Sequence, residues 1–265
     1  MAEAEYVFQQ AEDRKELERL QAIERVFDPA SRRRLLATGL KAGWRCLEVG
    51  AGAGSVMRWM SEAVGPTGQV VAVDIAPKFL VPPQPANVEV RQADIRTAPL
   101  PPQSFDLAHV RYVLIHLPDF EAALTKILAC LKPGGWVVLE EPDFSASRGV
   151  TGEVEELESV GKVNQAIKVM YDKLGMDYAL GLKLPSLLQG RGLQEMAAET
   201  DAVLAPGGSG LAEVMRMSAV QLREKYLATG VVTEQDLDRY GRFAENPKTR
   251  AVYYATVAAS GRKPA

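Results

Sequence analysis

The sequence predicts an α/β fold built on a doubly wound, mostly parallel sheet. Three observations predict it. Trp44 to Val49 is a short apolar run broken by one acid, Glu48, and it passes straight into a glycine-rich turn, Gly50-Ala51-Gly52-Ala53-Gly54. Ser55 then stands at a helix N-cap position, with Val56, Met57, Met60 and Val64 at helical spacing. A second apolar run, Gln69 to Val73, ends in Asp74. Strand, glycine turn, helix and strand make half of a doubly wound nucleotide-binding fold, whose ligand lies at the carboxyl ends of the strands.

Glycine is needed in the turn because the backbone must bend tightly and let a ligand come closer than any Cβ would permit. The acid after the second strand is placed to accept hydrogen bonds from a ribose diol. Together these features specify an adenosine ligand without choosing one. The spacing discriminates. A dinucleotide fingerprint reads G-x-G-x-x-G, whereas here the third glycine comes one position early. Glu48, two residues before the first glycine, would oppose a pyrophosphate and suits a ligand carrying positive charge, such as an amino acid ammonium or a sulfonium.

E-x-G-x-G-x-G is the first motif of the class I S-adenosylmethionine-dependent methyltransferases, and the chain resembles that family from about Leu35 to Glu141. Asp74 matches the ribose-binding acid after strand two. Ala93-Asp94-Ile95 matches the motif after strand three, whose acid binds the adenine amino group, and Ile75 would pack against adenine. Phe105-Asp106-Leu107 through His116-Leu117-Pro118 matches the fourth-strand motif, and Leu131-Lys132-Pro133-Gly134-Gly135-Trp136 resembles the turn into strand five. The later part is similar to bacterial small-molecule methyltransferases. The resemblance implies a Rossmann-like seven-stranded sheet of order 3-2-1-4-5-7-6 with strand seven antiparallel. It also implies S-adenosyl-L-methionine as cofactor and S-adenosyl-L-homocysteine as product. The cofactor residues carried over are Glu48, Gly50, Ala51, Gly52, Gly54, Ser55, Asp74, Ile75, Asp94, Ile95 and Val110.

At 265 residues the chain suits one α/β domain with decorations. Its formal charge of −3 does not favour DNA or RNA. The one basic run, Arg32-Arg33-Arg34, reads as a solvated helix face. Cys46 and Cys130, each among apolar residues, read as buried free thiols of a reducing compartment. Two histidines seven positions apart and no cysteine cluster argue against a metal site. The acidic, polar N-terminus lacks the marks of a signal peptide, and no apolar run is long enough to span a bilayer. A cytoplasmic protein with a small-molecule substrate, no membrane partner and a monomeric or homodimeric state is expected.

Residues 1–40 are expected as an N-terminal helical cap and 41–265 as the methyltransferase domain. The cap reads as an amphipathic helix from Ala11 to Phe27, ended by Asp28-Pro29, then a second helix to Gly39. Tyr6 precedes it and is a candidate substrate residue, because in the resembled family this region closes over the substrate. Asp94 reads either as the adenine acid or as a turn aspartate. The fourth strand, Phe105 to Val110, starts with Asp106, which in the family is architectural, and contains His109, read as a packed core residue.

The chemistry-bearing candidates lie at the active edge. Arg111 follows the fourth strand, at the position facing the donor's methyl group. His116 could take a proton from a hydroxyl or amine as methyl transfer proceeds, or could simply position the acceptor. After the apolar fifth strand, Trp136 to Leu139, come Glu140-Glu141-Pro142-Asp143. Glu141 and Asp143 are the second base candidates, with backbone orientation the alternative. Residues 144–192 read as a helical lid insertion over the acceptor, with Tyr171 and Tyr178 as pocket candidates beside Met170 and Met176. Strand six follows at Leu193 to Leu204, and a final strand at Ala251 to Ser260.

The expected function is methyl transfer from S-adenosylmethionine to a small molecule, an apolar or aromatic secondary metabolite, by in-line displacement at the sulfonium methyl. A nicotinamide-dependent oxidoreductase and a non-catalytic S-adenosylmethionine-binding protein are the rival readings.

Overall fold

The computed structural model describes residues 7, 8 and 12–265. A seven-stranded sheet organises them. Its strands are β1 (Arg45–Val49), β2 (Gln69–Asp74), β3 (Val88–Gln92), β4 (Phe105–Arg111), β5 (Leu131–Asp143), β6 (Gln194–Asp201) and β7 (Ala255–Arg262). They lie in the order 3-2-1-4-5-7-6, with β1 to β5 parallel and β7 antiparallel to both its neighbours. The strand order reverses between β1 and β4, which opens a crevice at their carboxyl ends.

Cys46 to Val49 and Val70 to Val73 are buried on both faces, as expected of central parallel strands under helices. The helices are α1 (Asp13–Ala37), α2 (Ser55–Val64), α3 (Phe120–Cys130), α4 (Val154–Lys173), α5 (Leu184–Gly190), α6 (Gly210–Gln221), α7 (Arg223–Leu227) and α8 (Glu234–Glu245). Met57, Met60 and Val64 of α2 join Leu35, Cys46, Val70 and Leu107 in a core on one face of the sheet. A larger core on the other side gathers α3 to α8 around Leu47, Val49, Val110 and Val137. Cys46 and Cys130 are buried free thiols. No helix among the described residues is long and apolar enough to cross a membrane.

Three expectations need correction. Asp28-Pro29 does not end the first helix: α1 runs unbroken through Pro29. A proline removes one N–H, but one tertiary bond and one side-chain bond within the helix flank it. Asp28 is buried against Arg111 at 3.0 Å, and the Ser31 hydroxyl donates to the Phe27 carbonyl at 3.3 Å. The basic run is not a solvated face either. Residues one apart on a helix point about 100° apart, so Arg33 stays exposed while Arg34 turns fully inward to Glu140 at 2.6 Å.

The final strand divides. Arg250–Val252 pairs with Arg148–Thr151 and with Ala205–Pro206 in a separate three-stranded sheet, and only Ala255–Arg262 enters the main sheet. The division falls at Tyr253-Tyr254, two buried rings that leave the extended path in different directions. Tyr253 meets Tyr240 edge-on, and Tyr254 meets Phe144 and Tyr112.

Candidate active site

A cleft occupies the crevice above β1, β2 and β4, bounded on its other side by α1, α4, α6 and α7. At one end lie the glycine loop, Asp74, Ile75, Asp94 and Ile95. At the other lie Tyr112, His116, Phe144, Tyr171, Tyr226 and Tyr254. One end therefore combines backbone and carboxylates with two isoleucines, and the other is mostly aromatic.

The glycines are structurally required. Gly50 has φ +71°, and a Cβ there would stand 2.2 Å from Val113 Cγ2. Gly54, at φ +92°, is the left-handed residue that lets the loop turn into α2. The α2 N-terminus is capped from outside its own segment: Glu24 on α1 accepts the Ser55 N–H at 2.9 Å. The Ser55 hydroxyl itself is buried with no partner among the described residues.

Asp74 accepts the Gly52 and Ala76 N–H groups at 3.2 and 2.8 Å, which aims the carboxylate along the loop. Burial raises its pKa, opposed by those amides. Ile75 lines the cleft but is half exposed at its rim. Asp94 also lines the cleft and holds Arg96, which draws its pKa down and which continues to Asp119 at 2.6 Å.

His109 is completely buried, as expected, but not among apolar groups alone. Its Nδ1 lies 2.7 Å from Glu48 Oε2 and its Nε2 3.1 Å from Glu140 Oε1. Two buried carboxylates need a cation between them, which an imidazolium supplies. Burial opposes that charge, but Glu48 and Glu140 outweigh it and raise His109 to about 9. Parallel register places Glu48 beside His109, so their side chains share a face. Glu140 continues to Arg34, and Arg34 to Glu199 and Asp201.

At the aromatic end, Phe8 meets His116 edge-on at 6.4 Å, and the Arg19 guanidinium lies 3.6 Å over the Phe8 ring. Arg19 forms a buried two-point ion pair with Glu16. Burial, helped by the charge of Arg19, lowers the His116 pKa to about 3, so its imidazole is neutral. Phe144 stacks obliquely between Tyr171 and Tyr254, at 5.8 and 5.3 Å.

Several expected site residues stand elsewhere. Glu141 does not reach the cleft: its carboxylate accepts the N–H groups of Val113, Leu114 and Ile115, at 3.1, 2.8 and 3.3 Å. It shapes the turn after β4 because that turn would otherwise bury three unpaired amides. Asp143 is likewise turned aside, capping the short turn that follows it by accepting the Ser145 N–H at 2.9 Å. Val110 points into the core, and Tyr178 packs behind the cleft with Lys168 over its ring at 5.5 Å. Arg111 lines the cleft with its guanidinium already held by Asp28 and the Ser31 hydroxyl. Tyr6 lies outside the described residues. Asp106 accepts the Arg45 N–H at 2.8 Å, joining β4 to β1.

The model of a family described as a methyltransferase domain matches residues 17–202. The chain belongs to this family. With it comes membership of the class I S-adenosylmethionine-dependent methyltransferases. Among curated relatives, methyltransferase str3 of Strobilurus tenacellus is 33% identical over 129 residues, 43% of this chain and 45% of that protein. The ubiquinone/menaquinone biosynthesis C-methyltransferase UbiE of Pseudomonas fluorescens is 36% identical over 112 residues, 39% and 44% of the two chains. These matches span less than half the length of the curated relatives. Among solved structures, phosphoethanolamine N-methyltransferase 2 of Haemonchus contortus superposes with a TM-score of 0.61 at 17% identity, covering 100% of this chain and 61% of that one. The YcgJ protein of Bacillus subtilis gives 0.50 at 18%, covering 85% and 94%. These two likenesses concern the fold.

The methyltransferase's donor set fits S-adenosylmethionine. Asp74 offers acceptors for a diol, Glu48 a buried carboxylate for a cation, and Gly50 a backbone position where a side chain has no room. Sequence reasoning missed Glu24, Arg19, Tyr112, Phe144 and Tyr254. Only the aromatic doublet Tyr253-Tyr254 carried a local signal, since the others reach the cleft from elements whose placement the chain alone does not disclose.

Proposed function

We propose that this methyltransferase transfers the methyl group of S-adenosylmethionine to a small, apolar or aromatic metabolite. The observation that carries this reading is the two-ended cleft, polar at the glycine loop and aromatic beyond Tyr112, with no break between the ends. When bound, the cofactor supplies an activated methyl group on a sulfonium, open to in-line displacement by an acceptor. Asp74 accepts the ribose hydroxyls, Asp94 and Ile95 hold the adenine, and Glu48 faces the positive end. Phe144, Tyr171 and Tyr254 hold the acceptor flat and exclude water, which contributes through orientation and dryness. His116, neutral and beside the aromatic end, positions the acceptor. Charges around the acceptor end are already matched, Arg19 by Glu16 and Arg111 by Asp28, which favours an uncharged acceptor. The names of the relatives, one a C-methyltransferase of quinone biosynthesis, support the same class.

Residues 1–40 act in this reading as a cap and 144–192 as a lid, since Leu20, Ile23 and Glu24 of α1 and Ile167 and Tyr171 of α4 line the cleft. The cover also includes Val214, Met215, Leu222 and Tyr226, beyond the expected lid boundary.

Calorimetric titration with S-adenosylmethionine, S-adenosylhomocysteine and NADH, repeated on Asp74→Ala, tests the reading. Micromolar binding of the first two, lost in the variant and absent for NADH, is expected. Binding of NADH alone would overturn it.

A further inference from the structure

We propose that His109 is a positioning residue for cofactor binding: its imidazolium, wedged between Glu48 and Glu140, holds the Glu48 carboxylate ionised and aimed into the cleft to receive a cationic group of the bound cofactor. The inference rests on the function proposed above.

Glu48 is 3% exposed, yet it lines the cleft at the end of β1 beside Gly50. A carboxylate so placed is costly to ionise. Burial raises its pKa, and Glu140 adds to the rise, while His109 and Arg111 work against it. His109 supplies the direct contact, at 2.7 Å, whereas Arg111 spends its own hydrogen bonds on Asp28 and Ser31. His109 cannot be diverted, because Glu140 holds its other nitrogen and Arg34 in turn holds Glu140. The other groups facing this chain are Cys46 on β1, Tyr112 after β4, and the partly exposed Glu199 and Asp201 on β6, which pair with the buried Arg34 and end the series. A line of alternating charge thus crosses β1, β4, β5 and α1 directly beneath the cofactor end of the cleft. Without His109, the more distant Arg111 alone would offset the burial and the Glu140 charge that favour the protonated form of Glu48.

The test uses S-adenosylhomocysteine, which carries the same amino acid ammonium as the cofactor. Binding to wild type and His109→Gln is measured by calorimetry in buffers of different ionisation enthalpy, at pH 7 and pH 9. His109→Gln should bind about tenfold more weakly than wild type at pH 7, and the gap between the two should narrow by pH 9, where the wild-type imidazolium begins to lose its proton. It should also release more protons on binding than wild type. A structural defect would weaken binding equally at both values and leave proton release unchanged. That result, or wild-type affinity at pH 7, would overturn the proposal.

A second measurement needs no variant. The chain has two histidines, so nitrogen-15 spectra of the labelled wild-type protein resolve both rings. His109 should be doubly protonated at pH 7 and shift on addition of S-adenosylhomocysteine; a neutral or unresponsive His109 would overturn the inference even if the variant does not fold. Wild type failing to bind S-adenosylhomocysteine at all would instead count against the proposed function.

Discussion

Glu24, in the middle of α1, accepts the backbone N–H of Ser55 at 2.9 Å and so caps a helix that begins thirty-one residues later. The bond joins the cap to the glycine loop. It also puts negative charge at the positive end of the α2 dipole. Glu24→Ala should therefore cost about 1 kcal/mol of stability, in the range of a lost N-cap, and should weaken S-adenosylhomocysteine binding. Urea denaturation beside an exposed control on the same helix, Glu18→Ala, checks this. Equal midpoints for the two variants would refute it.

Gly50 combines a left-handed backbone with a Cβ direction filled by Val113. Gly50→Ala should destabilise by more than about 1 kcal/mol and should abolish detectable cofactor binding, because Val113 must move in the turn that Glu141 secures. Thermal melting with and without S-adenosylhomocysteine reads both effects. A ligand-dependent rise in Tm equal to that of wild type would count against the close-approach argument.

Burial lifts the Glu141 carboxyl to about 8, although the amides of Leu114, Val113 and Ile115 favour its charged form. A folded pKa above the ordinary 4.5 means that the native state holds a proton the unfolded chain gives up. Glu141 thus contributes stability that is complete below about pH 4.5 and is lost as pH rises through 8. Glu141→Gln keeps an acceptor oxygen and should flatten this decline, whereas Glu141→Ala should cost about 1–3 kcal/mol through unpaired amides. Denaturation at pH 5, 6.5 and 8 distinguishes the two. An unchanged slope in Glu141→Gln would assign the pH dependence elsewhere.

His116 presents the opposite case. Its folded pKa of about 3 lies below the ordinary 6.5, so unfolding takes up a proton and this contribution is lost as pH falls from 6.5 towards 3. His116→Gln should be less acid-sensitive than wild type. A positioning role also predicts an activity loss smaller than the ~100-fold of a missing general base, with no inflection from this residue between pH 5 and 9. A 100-fold loss accompanied by disappearance of a basic inflection would restore the general-base role.

Much of this protein is legible in its sequence. Trp44 to Asp74 states strand, turn, helix and strand in local terms, because glycine spacing, apolar periodicity and the acid at a strand end are properties of neighbours along the chain. The sheet order and the cofactor class followed from the family resemblance that this stretch and the later motifs carry, as did the readings of Asp94 and Asp106. Only the tertiary structure decided which buried charges meet. His109 looks like core in the sequence because its partners lie sixty-one residues before it and thirty-one after, and become neighbours only when β1, β4 and β5 align. Glu141 looks catalytic until the turn after β4 claims its oxygens. α1 presents its apolar Leu20 and Ile23 to the cleft while Glu16, Arg19, Asp28 and Arg34 are buried. Periodicity reports that a helix has two faces. Which face is buried depends on whether the charged groups on it find partners, and those partners come from distant strands.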